Sequence, residues 1–217
     1  MADDQCPTRQ YMDEADVHWR HGRKPDYSVV NKKYLAEKSR NWKADSLEKL
    51  VENLVKTWEM ESSHKMDAKD WHTVDKETFR INVNGKFDYT LADNISKGNY
   101  QLLLADSPLY DTDKESNSSS HKLFKTVFPT GFAWELLELF SGPPNVSFSW
   151  RHWGKWDGKY YDVEPTGETI ELLGFCVSRV TEDLKVKKLE IYYDPNPMLT
   201  QLMKLDKKVC PMQSCAE

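Results

Sequence analysis

The sequence lacks any long apolar run. Its 217 residues contain uninterrupted apolar stretches of only a few residues, whereas a membrane-spanning helix needs about 20. Positions 1–20 also lack an apolar segment and carry several Asp and Glu residues, which excludes an ordinary secretory signal. We therefore expect a cytoplasmic protein that does not insert into a membrane.

Cysteine is scarce, with only Cys6, Cys176, Cys210 and Cys215 in the chain. Without a secretory signal, these residues are expected to be reduced thiols rather than a disulfide framework. Cys176 lies in an apolar stretch and is predicted to belong to the core. The chain also lacks a paired C-x-x-C, a Gly-rich phosphate loop and a G-x-S-x-G nucleophile motif, so none of these common sites is predicted.

Neither sign of charge dominates, because 30 Lys and Arg residues stand against 35 Asp and Glu residues and give a formal charge of −5. A mildly acidic chain is a poor ligand for a phosphate backbone, so we expect no nucleic-acid partner. Aromatic residues are plentiful, at 12% of the chain, whereas disordered chains are poor in them. The chain is therefore predicted to fold, and no linker divides it.

Residues 1–45 are polar and punctuated by aromatic residues, so we expect an arm anchored by Trp19, Tyr27, Tyr34 and Trp42. A short helix is expected around residues 29–39 of this arm. The main domain is expected over residues 46–205, and residues 206–217 form a polar tail. Within the main domain, residues 106–121 are rich in turn-forming residues and are predicted to be a flexible loop.

Two helices are predicted in the first half of the domain. Ser46 is an N-cap signal, and it precedes an apolar stripe at helical spacing. A second helix is predicted over residues 91–104, with Thr90 as its N-cap. The apolar stripe of the first helix is formed by Leu47, Leu50, Val51, Leu54 and Trp58.

Strand patterns dominate the second half of the chain. A short strand is predicted over residues 78–83 and four longer ones over residues 132–140, 145–153, 169–180 and 186–193. Helices followed by consecutive strands favour an α+β fold, with the helices packed on one face of a curved antiparallel sheet.

Two titratable residues are candidates for chemistry. Glu61 continues the apolar stripe of the first helix, so it either emerges into solvent at the helix end or lies in a pocket as a general acid or base. His152 shares a strand face with Phe148 and Trp150, where a core histidine is favoured over an acid or base. No metal site is predicted, because His18 and His21 have no second ligand pair at metal-site spacing.

Motifs along roughly residues 17–203 resemble the plant pathogen-related protein family, a branch of the SnoaL-like polyketide cyclases within the nuclear-transport-factor-2-like superfamily. The C-terminal half matches the cyclases in the P-T-G turn at residues 165–167, two closing strands and the Gln201-Leu202 motif. The upstream half matches the plant family in Trp19–Gly22, Pro25–Tyr27, Val30–Asn31, Ser46–Glu48, Lys56–Glu61, His64–Lys65 and Arg151–Gly154.

The resemblance implies a cone-shaped fold with an internal cavity and dimerisation through the sheet. An ungapped alignment with the cyclases places their catalytic aspartate at Ile191 and their active-site histidine at Val177. Neither side chain transfers protons, so cyclase chemistry by the family route lacks its base. The face formed by Leu173, Phe175, Val177, Leu189, Ile191 and Tyr193 is interpreted as apolar.

We therefore predict a non-catalytic binder of a lipophilic metabolite in plant defence or specialised metabolism, one that assists biosynthetic enzymes and needs no cofactor. The alternatives are an isomerase or cyclase that uses Glu61 and His152, and a protein-interaction module. The expected cavity lies between the first helix and residues 145–193. Its predicted lining is Leu54, Trp58, Glu61, Phe148, Trp150, His152, Phe175, Val177, Leu189, Ile191 and Tyr193.

Overall fold

The computed structural model describes residues 6–205, so the predicted polar tail lies outside the described residues. The helices are α1 (Ser28–Glu37), α2 (Leu47–His64), α3 (Leu91–Lys97), α4 (Asn99–Leu104), α5 (Asn117–Val127) and α6 (Asn196–Leu202). The strands are β1 (Arg80–Val83), β2 (Phe87–Thr90), β3 (Phe132–Ser141), β4 (Asn145–Lys155), β5 (Thr169–Val180) and β6 (Val186–Tyr193).

All six strands form one curved, unclosed sheet in the order β2-β1-β6-β5-β4-β3. The sheet is mixed rather than wholly antiparallel, because β1 pairs with β6 in parallel. In the long antiparallel part, Cys176 pairs with both Phe148 and Ile191. Directly paired residues point to the same face, so these three define the inner face of the sheet.

Helix α2 lies against the inner face. The Ser46 side chain accepts a hydrogen bond from the Lys49 amide and begins the helix, as predicted. Val51 and Trp58 are buried against the sheet, while Leu50 is 42% exposed at the edge of the contact. The apolar stripe is thus packed against the sheet along most of the helix, and it is partly exposed to solvent at the N-terminal end of the helix.

Helix α1 lies beside the edge strand β3, where it packs on the outer face and also contacts α2, because the Tyr34 hydroxyl donates a hydrogen bond to Glu52. This corrects the expectation that all helices pack on one side. Tyr34 of α1 packs with Ala133 and Trp153 in a small second core. The Trp153 indole donates a hydrogen bond of 2.8 Å to the Glu37 carboxylate. Trp153 points away from the neighbouring His152, because successive side chains of a strand point to opposite faces of the sheet. Strand β4 therefore contributes side chains to both faces.

Several element boundaries differ from the prediction, and the largest differences concern a predicted helix and a predicted loop. The helix over residues 91–104 is interrupted at Gly98, whose φ of 79° ends α3 and begins α4. The predicted loop over residues 106–121 is helical from Asn117, because Ser116 and Ser119 form a capping box. Serine favours both turns and helix starts, so a serine-rich stretch read alone does not separate the two.

Each helix in the described part of the chain is too short or too polar to cross a membrane. The thiols of Cys6 and Cys176 are free.

Candidate functional site

An apolar groove lies between the N-terminal part of α2 and the inner face of β4, β5 and β6. Its cavity volume is about 30 Å³, within about 490 Å³ of unfilled space that is partly open to solvent. None of its lining side chains is acidic or basic. The lining is Leu47, Leu50, Val51, Leu54, Val55, Trp58, Pro143, Val146, Phe148, Ser178, Val180, Leu184, Val186 and Leu189.

Two polar atoms on the lining residues have no hydrogen-bond partner within the described part of the chain. They are Nε1 of Trp58 and Oγ of Ser178, on residues that are only 7% and 5% exposed. A buried donor without a partner costs roughly 1–3 kcal/mol. Both atoms are buried behind the lining, so the accessible surface of the groove itself is wholly apolar.

The groove contains some of the residues predicted to bind a ligand. Leu54, Trp58, Phe148 and Leu189 line it. Ile191 is buried on the same face but belongs to the packed core beyond the groove.

Trp150 is likewise buried on the inner face and does not line the groove. Its ring lies over Gly174, where an added Cβ would come within 2.2 Å of the indole, and 5.6 Å from the Tyr193 ring. The Tyr193 hydroxyl donates a hydrogen bond of 2.7 Å to the Leu103 carbonyl. Trp150 and Ile191 are therefore packed against neighbouring residues, and the groove lies closer to the N-terminus of α2.

Phe175 and Val177 lie on the outer face, so the prediction that they share a face with Ile191 is wrong. The register pairs Ile191 with Cys176, one residue away from each, and a shift of one residue reverses the face. Leu173 lies on the outer face for the same reason and is 60% exposed. Burial raises the pKa of the Cys176 thiol to about 12, so the inward position beside Ile191 also lacks a usable base.

Glu61 neither emerges into solvent nor lies in a pocket, which corrects both readings of this residue. Its carboxylate is fully buried and accepts hydrogen bonds from the His72 amide at 2.8 Å and the Thr73 amide at 3.1 Å. It also accepts from the Thr73 hydroxyl at 2.6 Å and lies 3.5 Å from Nζ of Lys65. With its oxygens fully engaged, Glu61 connects α2 to the following segment and is not placed for proton transfer.

His152 lies on the inner face, as predicted, but away from the groove. Its ring stacks on Phe132 with the centroids 3.7 Å apart. Burial lowers its pKa to about 4, although a hydrogen bond with the Phe132 backbone and the charge of Glu59 act in the opposite direction. His152 is therefore neutral near pH 7.

Glu59, which was not among the predicted site residues, anchors a polar cluster near the C-terminal end of α2. Its carboxylate accepts hydrogen bonds of 3.0 Å from the Tyr27 hydroxyl and from the Ser63 hydroxyl. A polar stripe lies beside the apolar stripe of α2 and consists of residues at helical spacing, namely Glu52, Lys56, Glu59 and Ser63. This spacing was the sequence pattern from which the polar cluster could have been predicted. The predicted arm covers this stripe, with Tyr34 donating a hydrogen bond of 2.7 Å to Glu52.

The structure brings together three histidines that the sequence analysis did not connect. The centroid of the His21 ring lies 5.7 Å from that of His64 and 5.2 Å from that of His121, and His64 and His121 are 5.2 Å apart. Burial, followed by the charges of the neighbouring histidines, lowers the pKa of His64 to about 3. His18 is not part of this cluster, and its Nδ1 lies 3.8 Å from the Asp67 carboxylate.

A curved, unclosed six-stranded sheet with helices packed against it defines an α+β fold. No family model matches the chain. The chain is 36% identical over 197 residues to the "Pathogen-related protein" of Hordeum vulgare, covering 88% of this chain and 84% of that protein. The chain therefore belongs to the pathogen-related protein family.

Solved structures show a more distant similarity. A Jannaschia protein described as a SnoaL-like polyketide cyclase is 13% identical, with 76% of this chain and 97% of that chain covered and a TM-score of 0.40. A nuclear-transport-factor-2-like protein of Burkholderia thailandensis is 18% identical, with 60% and 79% covered and a TM-score of 0.35.

Proposed function

We propose that the protein binds a lipophilic small metabolite in the groove beside α2 without transforming it. One observation carries the proposal: the accessible lining of the groove is wholly apolar. Two of its lining residues, Trp58 and Ser178, also carry buried donors without a partner among the described residues, and widening of the groove would expose them to a ligand. The complementary ligand has an apolar body and at least one hydrogen-bond acceptor, such as a ketone or a hydroxyl. Terpenoids, polyketides and oxidised lipids have this chemistry.

The groove is too small for a typical ligand, so it must widen before a ligand enters. Ligand sites usually measure about 300–1,000 Å³, whereas the cavity volume of this groove is about 30 Å³. Leu47 and Leu50 at its mouth are 36% and 42% exposed, so their side chains are free to move outward. Burying about 300 Å² of apolar surface then contributes about 7.5 kcal/mol, before the costs of association.

The proposal that the protein does not transform its ligand rests on the groove lining, which contains no proton-transfer group. Glu61 is engaged by backbone amides and Lys65, and His152 stacks on Phe132 outside the lining. The inward residues at the closing strands are Ile191 and Cys176, which move no proton at neutral pH. An isomerase or cyclase that uses Glu61 and His152 is therefore the weaker candidate.

Calorimetry with matched ligand pairs tests the proposal. We expect a terpenoid ketone to bind the wild type at micromolar affinity, and Ser178→Ala or Trp58→Phe to weaken it about three- to tenfold by removing one hydrogen bond. Binding of the parent hydrocarbon should not change in Ser178→Ala. Ser149→Ala, on the outer face of β4, is the control. No binding across terpenoids, polyketides and fatty acids would contradict the proposal and favour a protein-interaction module.

The biological setting that we propose is plant defence or specialised metabolism, in which the protein holds an intermediate for biosynthetic enzymes. The name of the Hordeum vulgare relative, "Pathogen-related protein", supports a connection with pathogens. Mass spectrometry of small molecules that co-purify with the protein from its native source tests this setting. A lipophilic plant metabolite is the expected result, and a preparation that carries only general membrane lipids would contradict it.

We also propose that two copies pair through the outer face of the sheet. Phe140, Leu173, Phe175 and Tyr192 are between 36% and 60% exposed there, and the Phe140 and Phe175 rings lie 5.6 Å apart. Light scattering after size exclusion should give a dimer that Leu173→Glu dissociates. Val29→Glu, at an equally exposed position on α1, should leave it intact. A monomeric wild type would contradict the proposal.

A further inference from the structure

The cluster of His21, His64 and His121 joins three separate segments of the chain. His64 is the last residue of α2 and His121 lies within α5. His21 lies in a turn that is held against α2, because the Arg20 amide donates a hydrogen bond of 2.8 Å to the His64 carbonyl. One ring nitrogen from each histidine lies within 4.8 Å of the other two.

We propose that these three imidazoles bind a single late-transition divalent ion, with Zn²⁺ as the expected species. Three histidines and one exchangeable position form a recurrent zinc coordination set. Tetrahedral bonds of about 2.0–2.1 Å place ligand nitrogens about 3.3 Å apart, so the rings must close inward. His21 is exposed, and its side chain is free to make that movement.

The ligand set determines which metals are suitable. Imidazole nitrogen binds Zn²⁺, Co²⁺, Ni²⁺ and Cu²⁺, whereas Ca²⁺ and Mg²⁺ prefer oxygen ligands. Among the described residues, the cluster contains no carboxylate or thiolate within the same reach. The site is therefore expected to bind Zn²⁺ and Co²⁺ and to ignore Mg²⁺ and Ca²⁺.

Neighbouring charges determine the expected metal affinity of the site and the kind of ligand that occupies the fourth coordination position. Arg20 and Lys125 both act electrostatically on His21, while the Glu59 carboxylate acts in the opposite sense on His121. Two cations against one anion disfavour a divalent ion, so we expect weaker binding than at a closed structural zinc site. The same cations favour an anion, such as hydroxide or a carboxylate, at the open position.

The ion would fasten the turn around His21 to the ends of α2 and α5. This site is separate from the groove, which contacts the N-terminal part of α2. Metal binding and metabolite binding are therefore independent, and either proposal can fail without the other.

Titration of the untagged full-length protein with Co²⁺ tests the site. We expect one equivalent to bind and to give the visible absorption of a four-coordinate ion without a thiolate charge-transfer band. His21→Gln should weaken binding about tenfold or more and leave the thermal midpoint of the metal-free protein unchanged, because His21 is exposed. His18→Gln is the matched control and should bind like the wild type. His64→Gln and His121→Gln complete the set.

Amide hydrogen exchange gives a second readout that does not depend on absorption. Zn²⁺ should slow exchange over residues 18–23 in the wild type and in His18→Gln, but not in His21→Gln. Failure of the wild type to bind Co²⁺ or Zn²⁺ would overturn the proposal. Full binding in His21→Gln, or a thiolate band that Cys6→Ser removes, would also overturn it.

Discussion

At the scale of single residues, Glu61 connects the end of α2 to the backbone of residues 72 and 73. Glu61→Gln would turn an amide N–H₂ group toward existing donors and reduce the charge compensation of the buried Lys65 ammonium. Glu14 remains as a partner of Lys65 at 3.0 Å. We expect the free energy of unfolding to fall by about 3 kcal/mol, measured by urea denaturation.

The control for this prediction is Glu138→Gln, which changes an exposed carboxylate on β3 and should alter stability by less than about 0.5 kcal/mol. Metabolite affinity should be unchanged in folded Glu61→Gln. A variant of wild-type stability that has lost turnover of a substrate would restore Glu61 as a catalytic residue.

His152 predicts a dependence of stability on pH. Its pKa falls from an ordinary 6.5 to about 4 on burial, so the unfolded chain takes up a proton between these values while the folded protein does not. Stability contributed by the neutral ring is complete above pH 6.5 and is lost as the pH falls toward 4. Denaturant midpoints measured across this range should therefore decrease on acidification.

His152→Phe should make that decrease shallower, because the aromatic replacement has no proton to bind. His18→Phe is the control, since the His18 side chain is 62% exposed and remains in water in both states. Equal slopes for the wild type and His152→Phe would contradict the assignment of a buried neutral ring.

At the scale of elements, the junction of α3 and α4 depends on Gly98. An added Cβ would lie 2.4 Å from the Asn117 side chain, and φ is +79°. Gly98→Ala should lower the free energy of unfolding by about 2–4 kcal/mol, from backbone strain together with overpacking. Gly85→Ala has a similar φ of +71° with nothing within 4 Å, so it should lose only the strain component, about 1 kcal/mol. Equal losses in the two variants would show that Asn117 moves aside without cost.

At the scale of the whole molecule, regular patterns made much of the fold predictable. The stripe of α2 and its Ser46 cap were readable from helical spacing, and β5 and β6 begin and end at the predicted residues. The pairing of β1 with β6 was not readable, because parallel pairing is a long-range contact without a local signal. The resemblance implied the cone fold, and the curved sheet agrees with it.

The candidate site was less predictable, for three physical reasons. The alternation of side chains separates the two faces of a single strand, but it does not determine which face of β5 lies on the same side as which face of β6. The prediction therefore placed Phe175 and Val177 on the wrong side of the sheet. The position of Glu61 in a helix did not reveal the amides of residues 72 and 73 that engage it. The histidine cluster joins residues up to 100 positions apart, from His21 to His121, and no spacing rule connects them.

Methyl NMR with a bound terpenoid ketone tests the central claim, that the groove beside α2 is a metabolite site. The methyl groups of Leu54, Val146 and Leu189 line the groove, whereas those of Leu173 and Val177 lie on the outer face of β5. We predict ligand-dependent shifts and ligand contacts at the first three and none at the last two. Contacts confined to the outer face, or to residues around His152, would contradict the account.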